Sequence, residues 1–419
     1  MPSCWRRWRR RQRRCAPPGS VVRALILAAL LAAGAPAVAS EPPPALRIRP
    51  APGAVPEMVF DWSRERCAET HVPDTPARAF RDAAGTVRLI ATHHANRAFR
   101  GPALDALTPE CEVLLASDRI DDPAARDDLT WLASTYTLDG QTVYALAHHE
   151  YLGHLRPGRC TGTSYQACWS NAVTFAWSTD GGRRFRQPPE HHVAAPPYRY
   201  RGDLGRRTGY FNPSNIIARG GWYYVMLFAE AEGAQARGTC LLRTRDLADP
   251  GGWRAWDGQG FDVRFADPYR ETVAQPERHV CAPVAPQQLG NLVTSLTRHE
   301  ASGLYIALFA GYRAPQPGRA QVTGVFAATS PDLLRWSAPQ LVWQAPILWR
   351  FGCDDGAPVF YPALLDPDTA SRNFESVDDR GFIYFTSVNL SNCSVSWDRD
   401  LMRLEVAIST PETRATEAP

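Results

Sequence analysis

Carboxyl groups at the ends of strand-like segments are the residues of this chain best placed to do chemistry. Asp74 precedes a short apolar segment, and Glu150 and Glu230 each follow one. Two carboxyl groups, one protonated and one ionised, can exchange protons with a bound substrate. The sequence therefore predicts an acid–base pair of Asp74 and Glu150, with Glu230 as the second choice for the acid. The alternatives are that Asp74 only caps a turn and that Glu150 is a solvated loop carboxylate.

Other polar residues cluster near the same positions, at the beginning of a first strand or the end of a second strand. In an antiparallel pair these two positions lie at the same edge of the sheet, so the side chains should converge on one face. The candidate substrate-binding residues are Arg78, His93, His94, Asn96, Arg97, His149, Asn212, Tyr312, Arg313, Asp354, Asp355 and Tyr361. Arg78 lies on a presumed inner strand, where it could bind a substrate carboxylate or neutralise Asp74.

Strands must position these residues, because the chain from about residue 60 is a succession of short apolar-aromatic segments separated by Gly, Asp and Pro. The 36 prolines and 30 glycines exclude a coiled coil. A strand, a turn and an aromatic-rich strand recur five times, beginning near residues 76, 131, 212, 290 and 361. The repeat predicts an all-β fold, a five-bladed β-propeller of four-stranded antiparallel blades. A β-sandwich is the alternative, but it does not predict five similar hairpins.

A recurrent turn follows three of the hairpins. It contains Asp180, Asp246 or Asp332, each with an aromatic residue downstream, and we expect the Asp to cap the turn while the aromatic ring packs on the hairpin. The segment Ser178-x-Asp180-x-Gly182-x-x-Phe185 resembles the Asp box of sialidase-type propellers. The segment Ser330-x-Asp332-Leu333-x-x-Trp336 resembles a turn of five-bladed glycoside hydrolases in the arabinanase, xylosidase and invertase groups.

The resemblance implies an exported carbohydrate-active protein, a glycoside hydrolase whose partner is an oligosaccharide or glycan. Similar enzymes use an Asp before the first inner strand as base or nucleophile, a position that Asp74 matches. They place a Glu before a middle blade, where this chain has Asn212. A non-catalytic carbohydrate-binding propeller is therefore the alternative. A sialidase-like hydrolase is a third hypothesis, since Arg78, Arg97, Arg313 and Tyr361 could supply its arginines and tyrosine, although the Arg-Ile-Pro start typical of sialidases is absent.

The beginning of the chain has the pattern of a signal peptide over residues 1–39. An arginine-rich leader precedes the apolar run Ala24–Ala33, and Ala37-Val38-Ala39 supplies a cleavage pattern; a short uncleaved anchor is the alternative. Residues 40–59 are then a linker, 60–410 the propeller and 411–419 a disordered tail. This organisation predicts a secreted or periplasmic monomer whose mature chain has no membrane span.

The mature chain is acidic. The leader holds eight of the 46 basic residues and no acidic one, so the remainder has a net charge of −5. Nucleic-acid binding needs a clustered basic surface, and no nucleic-acid partner is predicted.

Eight cysteines follow the leader, which suggests disulfides in an exported protein. They allow 105 connectivities; we expect sequence neighbours to pair, with Cys160–Cys168 the first choice because a short flexible loop separates them. No metal site is predicted, because adjacent histidines on a strand point to opposite faces. No cofactor is expected, and structural calcium competes with a solvated loop for the acidic residues Asp366, Asp368, Glu375, Asp378 and Asp379.

Overall fold

Antiparallel strands form most of the ordered elements in the computed structural model, which describes residues 43–313 and 321–411. The predicted signal peptide and residues 412–419 of the predicted tail lie outside these ranges. The helices of the described residues are short: α1 (Trp62–Glu65) and the 3-10 segments Gly153–Leu155, Tyr165–Cys168, Pro250–Gly252 and Pro276–His279. None of them is long and apolar enough to cross a membrane.

The strands follow one another along the chain in five blades. The first strands are β1 (Arg47–Pro50) and β2 (Glu57–Phe60). Blade 1 contains β3 (Arg78–Arg81), β4 (Val87–Ile90), β5 (Phe99–Gly101) and β6 (Thr108–Pro109). Blade 2 contains β7 (Leu129–Thr137), β8 (Val143–Leu152), β9 (Trp169–Ser178) and β10 (His192–Ala194). Blade 3 contains β11 (Thr208–Phe211), β12 (Ile217–Arg219), β13 (Trp222–Ala229), β14 (Gly238–Thr244) and β15 (Arg254–Ala255).

Blade 4 contains β16 (Ser295–His299), β17 (Tyr305–Arg313), β18 (Val322–Ser330) and β19 (Gln340–Gln344). Blade 5 contains β20 (Val359–Leu365), β22 (Arg380–Val388) and β23 (Arg399–Ser409), and the short β21 (Ser376–Val377) leaves it to pair with β16. The five-bladed, all-β prediction is confirmed. Blades 2 and 3 share one sheet because β11 pairs in parallel with β9. The inner strand of blade 3 is divided into β11 and β12 around Pro213, which has no N–H to donate to a ladder.

The two N-terminal strands complete blade 5. Both β1 and β2 pair with β23, with Arg47 opposite Ser409 and Glu57 opposite Arg403. The segment predicted as a linker over residues 40–59 is therefore largely part of the propeller. Burial of Ile48 in the core stabilises this addition. Two four-residue strands separated by a turn give too short an apolar pattern to be recognised in the sequence.

Arg78 lies at the centre of the ring. It is 3% exposed, and its guanidinium donates to the carbonyl oxygens of Ala133 at 2.7 Å, Pro213 at 3.2 Å and Thr294 at 2.9 Å. These carbonyls belong to blades 2, 3 and 4, so one side chain from blade 1 connects four blades. Burial lowers the pKa of Arg78 to about 9, and the group stays charged at neutral pH.

The predicted Asp turns form as expected and are structural. The Asp180 carboxylate accepts from the backbone N–H groups of Arg183 and Arg184, each at 3.0 Å. Asp332 accepts from those of Leu334 and Arg335 in the same way. The downstream aromatics Phe185 and Trp336 are buried in the core.

Four disulfides pair the cysteines with their sequence neighbours, which confirms that prediction. The bonds are Cys67–Cys111, Cys160–Cys168, Cys240–Cys281 and Cys353–Cys393. Cys160–Cys168 closes the connection between the end of β8 and the beginning of β9, immediately beyond Glu150. The disulfides thus stabilise long loops that a propeller core alone would hold weakly.

Candidate functional site

Asp74 and Glu150 lie in one cluster at the same face of the propeller. Asp74 precedes β3, and its backbone N–H donates to the carbonyl of Thr92 at 3.1 Å, which fixes the approach to blade 1. Glu150 lies near the end of β8 in blade 2. Both carboxyl side chains are mostly buried, with 18% of Asp74 and 11% of Glu150 exposed. Burial of two acids side by side is unfavourable unless both are supported by partners.

Arg399 supports Asp74. It lies at the beginning of β23, and its guanidinium forms an ion pair with one oxygen of the Asp74 carboxylate. The other carboxylate oxygen lies 3.6 Å from Nε2 of His93. Burial lowers the pKa of His93 to about 2, so the imidazole is neutral and the positive charge at Asp74 comes from Arg399.

His148 supports Glu150 in a defined tautomer. The backbone N–H of Asn212 donates to Nδ1 of His148 at 3.3 Å, so Nδ1 carries the lone pair. The proton is therefore on Nε2, which lies 3.0 Å from a carboxyl oxygen of Glu150 and donates to it. The hydroxyl of Tyr165 lies 3.5 Å from the second oxygen of Glu150. Among the described residues, Glu150 thus has hydrogen-bonding partners but no arginine.

The two carboxyl groups differ in how strongly they hold a proton. Burial raises the pKa of both, and Arg399 opposes this rise at Asp74. At Glu150 the nearby charge of Asp74 adds to the effect of burial, while the hydrogen bond from His148 opposes it. Arg399 thus favours the ionised form of Asp74, whereas the charge of Asp74 favours the protonated form of Glu150. This is the arrangement that an acid–base pair requires.

Aromatic rings enclose the cluster. The indole of Trp131 lies 5.4 Å from the His93 ring and 5.9 Å from the His148 ring, and Trp397 lies 5.2 Å from His93. The Trp131 indole nitrogen is buried. Its interaction with the Asp74 carboxylate opposes the rise that burial causes in the pKa of Asp74.

Tyr361 forms the wall between the cluster and a larger pocket. Its backbone has a φ of 53°, in the left-handed region, within an irregular pairing of β20 with β22 between Phe360 and Ala363. Such strain in a non-glycine residue marks a position where the fold directs a side chain. Burial and the charges of Asp74 and Glu150 raise the pKa of Tyr361 well above its usual value. The phenol therefore keeps its proton and is available as a hydrogen-bond donor.

The adjoining pocket has a volume of ≈ 680 Å³. Predicted residues Asn212, Tyr312, Arg313 and Tyr361 line it. Glu230 lies beside it, and its carboxylate accepts from Arg207 at 2.7 Å and from Arg237 at 3.1 Å. Glu230 is therefore held by two arginines, whereas Glu150 is held by His148 and Tyr165.

The remaining predicted residues lie elsewhere or have other contacts. Asn96 is fully buried, donates to the Thr130 carbonyl at 2.8 Å and accepts from Leu132 N–H at 2.7 Å, so it joins blades 1 and 2. Arg97 donates to the Cys111 carbonyl at 3.1 Å. Because these side chains and that of Arg78 bond to main-chain carbonyls, we leave the three residues out of the candidate site.

His149 differs from the prediction in position. Its Nε2 accepts from the backbone N–H of Asp128 at 3.2 Å, on the face of β8 opposite to that of His148. His94 lies beside the cluster, with its ring 4.2 Å from that of His93 and 5.8 Å from that of Trp131. Asp354 and Asp355 are exposed in the loop before β20, where Asp355 accepts from the Gly352 N–H.

Residues beyond the predicted set complete the site. His148, Tyr165, Trp131 and Arg399 surround the two acids, and Arg207, Arg237 and Arg350 line or border the pocket. His148 could be found by the same strand-end argument that selected Glu150, because β8 places residues 148 and 150 on one face. Nothing local marks Arg399, which is 325 positions from its partner Asp74.

The acidic residues considered for calcium mostly bind backbone or side-chain donors. Glu375 accepts from the Tyr136 hydroxyl at 2.9 Å, and Asp366 from the N–H groups of Asp368 and Asp378. Over residues 43–313 and 321–411, no group of three or more His, Cys, Asp and Glu side chains is arranged to hold a metal ion.

Solved propeller structures resemble the chain, whereas no protein-family model and no curated protein matches its sequence. An α-L-arabinanase from Cellvibrio cellulosa, complexed with arabinohexaose, is 13% identical; 82% of this chain and 96% of that chain are covered at a TM-score of 0.45. An endo-arabinase from Bacteroides thetaiotaomicron is 11% identical, with 84% and 97% covered at a TM-score of 0.42. An α-L-arabinofuranosidase from Fusarium graminearum, complexed with arabinobiose, is 11% identical, with 84% and 98% covered at a TM-score of 0.43. Arabinanases, which the turn motif resembles, are thus among the structural neighbours; the roles of the site residues rest on their own geometry.

Proposed function

We propose that this protein is a glycoside hydrolase in which Glu150 is the general acid and Asp74 the base or nucleophile. The observation that carries the proposal is the asymmetric support of two buried carboxyl groups, with Arg399 on Asp74 and only His148 and Tyr165 on Glu150. Cleavage of a glycosidic bond needs one protonated and one ionised carboxyl group at the scissile bond. Tyr361 beside the acids offers an O–H to a sugar hydroxyl.

In the proposed reaction the leaving-group oxygen takes its proton from Glu150 as the glycosidic bond breaks. If Asp74 is the base, it removes a proton from the water that attacks the anomeric carbon. If Asp74 is the nucleophile, it bonds to the anomeric carbon, and a water molecule deprotonated by Glu150 then hydrolyses this glycosyl–enzyme ester and releases Asp74. His148 holds Glu150 in place through the Nε2–H hydrogen bond, and Arg399 keeps the negative charge on Asp74. The four disulfides support a place of action in an oxidising compartment, the periplasm or the exterior of the cell.

The test compares two variants on two kinds of substrate. Release of reducing ends is first measured on a panel of arabinan, galactan, xylan and polyuronate to find the substrate. Asp74→Asn should abolish turnover of both the polymer and the matching dinitrophenyl glycoside. Glu150→Gln should abolish turnover of the polymer but retain that of the dinitrophenyl glycoside, because this leaving group departs without a proton.

Glu190→Gln is the control, because Glu190 is 86% exposed, pairs with Arg270 and has no role in the proposed reaction. Circular dichroism should show that all three variants are folded. Full turnover of the polymer by Asp74→Asn would exclude the proposed mechanism, and loss of the dinitrophenyl glycoside activity in Glu150→Gln would exclude the role of Glu150 as acid.

A second candidate function is glycan binding without cleavage. It is favoured by Asn212, an amide that lines the pocket where the similar enzymes are expected to carry a carboxyl group. Binding of an intact oligosaccharide, with no product after prolonged incubation of the wild-type protein, would establish it in place of hydrolysis.

A further inference from the structure

Among the residues that the structure describes, four arginines and no acidic residue line the pocket beside the acid cluster. Arg207, Arg237, Arg313 and Arg350 contribute to its wall, and no Asp or Glu is among its described lining residues. The other polar groups in the wall are uncharged, and include the amides of Gln288 and Asn291. The site of this acidic mature chain is therefore locally basic.

Each of the four guanidinium groups lies over an aromatic ring. Arg350 is 3.6 Å from the Tyr312 centroid, and Arg237 is 4.7 Å from that of Phe228. Arg207 lies 5.0 Å from Phe211, and Arg313 lies 6.0 Å from Phe326. An aromatic ring beneath a guanidinium restrains it and leaves the N–H groups at its edge free to donate hydrogen bonds.

One carboxylate, Glu230, neutralises part of this charge. Glu230 pairs with both Arg207 and Arg237. Because one carboxylate faces two guanidinium groups, the three side chains together keep a net positive charge. Arg313 and Arg350 form no ion pair with an acidic residue of the described chain, 43–313 and 321–411. Their donors are free to bind an anion.

We propose that the pocket binds an acidic sugar residue whose carboxylate or sulfate group is held by Arg350 and Arg313. A planar guanidinium binds either anion with two parallel hydrogen bonds. The tyrosine, tryptophan and amide groups of the wall provide stacking and hydrogen bonds for the ring and its hydroxyls. That the bond cleaved in the glycan lies beside Tyr361 rests on the proposed function. The preference for an acidic glycan follows from the pocket alone.

The experiment measures binding by calorimetry at low salt with the full protein. The ligands are oligogalacturonate, the same oligosaccharide after reduction of its carboxyl groups, and a sulfated galactan oligosaccharide. At least one acidic ligand should bind ten times or more tightly than the reduced one, and this advantage should decrease in 0.5 M NaCl. Arg350→Gln should weaken binding of the acidic ligand about tenfold and leave binding of the reduced ligand unchanged.

Arg380→Gln is the control, because Arg380 is 78% exposed and pairs with Glu405 at the opposite end of β22. Its binding should equal that of the wild type. Equal affinity for acidic and reduced ligands, or no effect of both Arg350→Gln and Arg313→Gln, would overturn the inference. Tight binding of an acidic ligand without cleavage would support the pocket's preference and would contradict only the hydrolase proposal, so the two failures are distinguishable.

Discussion

Replacement of Arg78 by methionine should destabilise the propeller severely, because one buried side chain holds carbonyl groups of three other blades. Methionine retains most of the apolar volume and removes every donor. The carbonyls of Ala133, Pro213 and Thr294 would each lose a hydrogen bond from a charged group. Leaving a buried acceptor without a partner costs about 1–3 kcal/mol.

Removal of the buried charge also removes its desolvation cost, which offsets part of this loss. We therefore expect the free energy of unfolding to fall by about 3–5 kcal/mol in Arg78→Met. Arg78→Lys should lie between the wild type and Arg78→Met, because an ammonium group is compact and cannot span the same three carbonyls.

Equilibrium unfolding in guanidinium chloride, followed by tryptophan fluorescence, measures the effect. Arg100→Met provides the control, since Arg100 is exposed on β5 of the same blade and should change the free energy of unfolding by less than about 0.5 kcal/mol. A change below about 1 kcal/mol in Arg78→Met would refute the argument that the guanidinium holds the blades together.

Three further predictions concern the site and the disulfides. In Arg399→Gln the pKa of Asp74 should rise further, so the ascending limb of the kcat/KM pH profile should move up by about 1–3 pH units; an unmoved limb would contradict the ion pair's role. Because Asp74 raises the pKa of Glu150, Asp74→Asn should lower it, which a carboxyl titration by NMR would detect as a shift of Glu150 to lower pH; no shift would mean that the two acids are not coupled. Removal of the Cys240–Cys281 disulfide, whose cysteines are 41 residues apart, should lower the free energy of unfolding by about 3–4 kcal/mol. Removal of the Cys160–Cys168 disulfide, whose cysteines are 8 residues apart, should lower it by less. Thermal melts of the two double-serine variants measure both losses, and a larger loss for Cys160–Cys168 would contradict loop closure as the cause.

Local patterns predicted the blades well. The five hairpins, the Asp turns and the neighbour pairing of cysteines all depend on residues close in sequence, where alternation of apolar residues and turn residues is informative. The prediction that Asp74 and Glu150 lie at one face has the same basis, because the beginning of a first strand and the end of a second strand share an edge.

Long-range partners could not be predicted in this way. Arg399 pairs with Asp74 across 325 positions, and Arg78 was expected near a substrate because a charged residue on an inner strand has no local explanation. The choice between His148 and His149 depends on which face of β8 is directed inward. Because both residues are histidines, the sequence pattern does not show which of the two side chains is directed toward the site. The orientation becomes visible only when β8 is paired with β7 and β9.

Attachment of β1 and β2 to β23 has a consequence for how the chain acquires its fold. Arg47 and Ser409 are among the first and last described residues, yet they are opposite each other in the ladder. Contacts so distant in sequence form late and slow the folding reaction. A chain shortened to begin at residue 61 would leave the outer edge of β23 unpaired, as a template for association with a second molecule. Strands β1 and β2 thus protect an edge against aggregation.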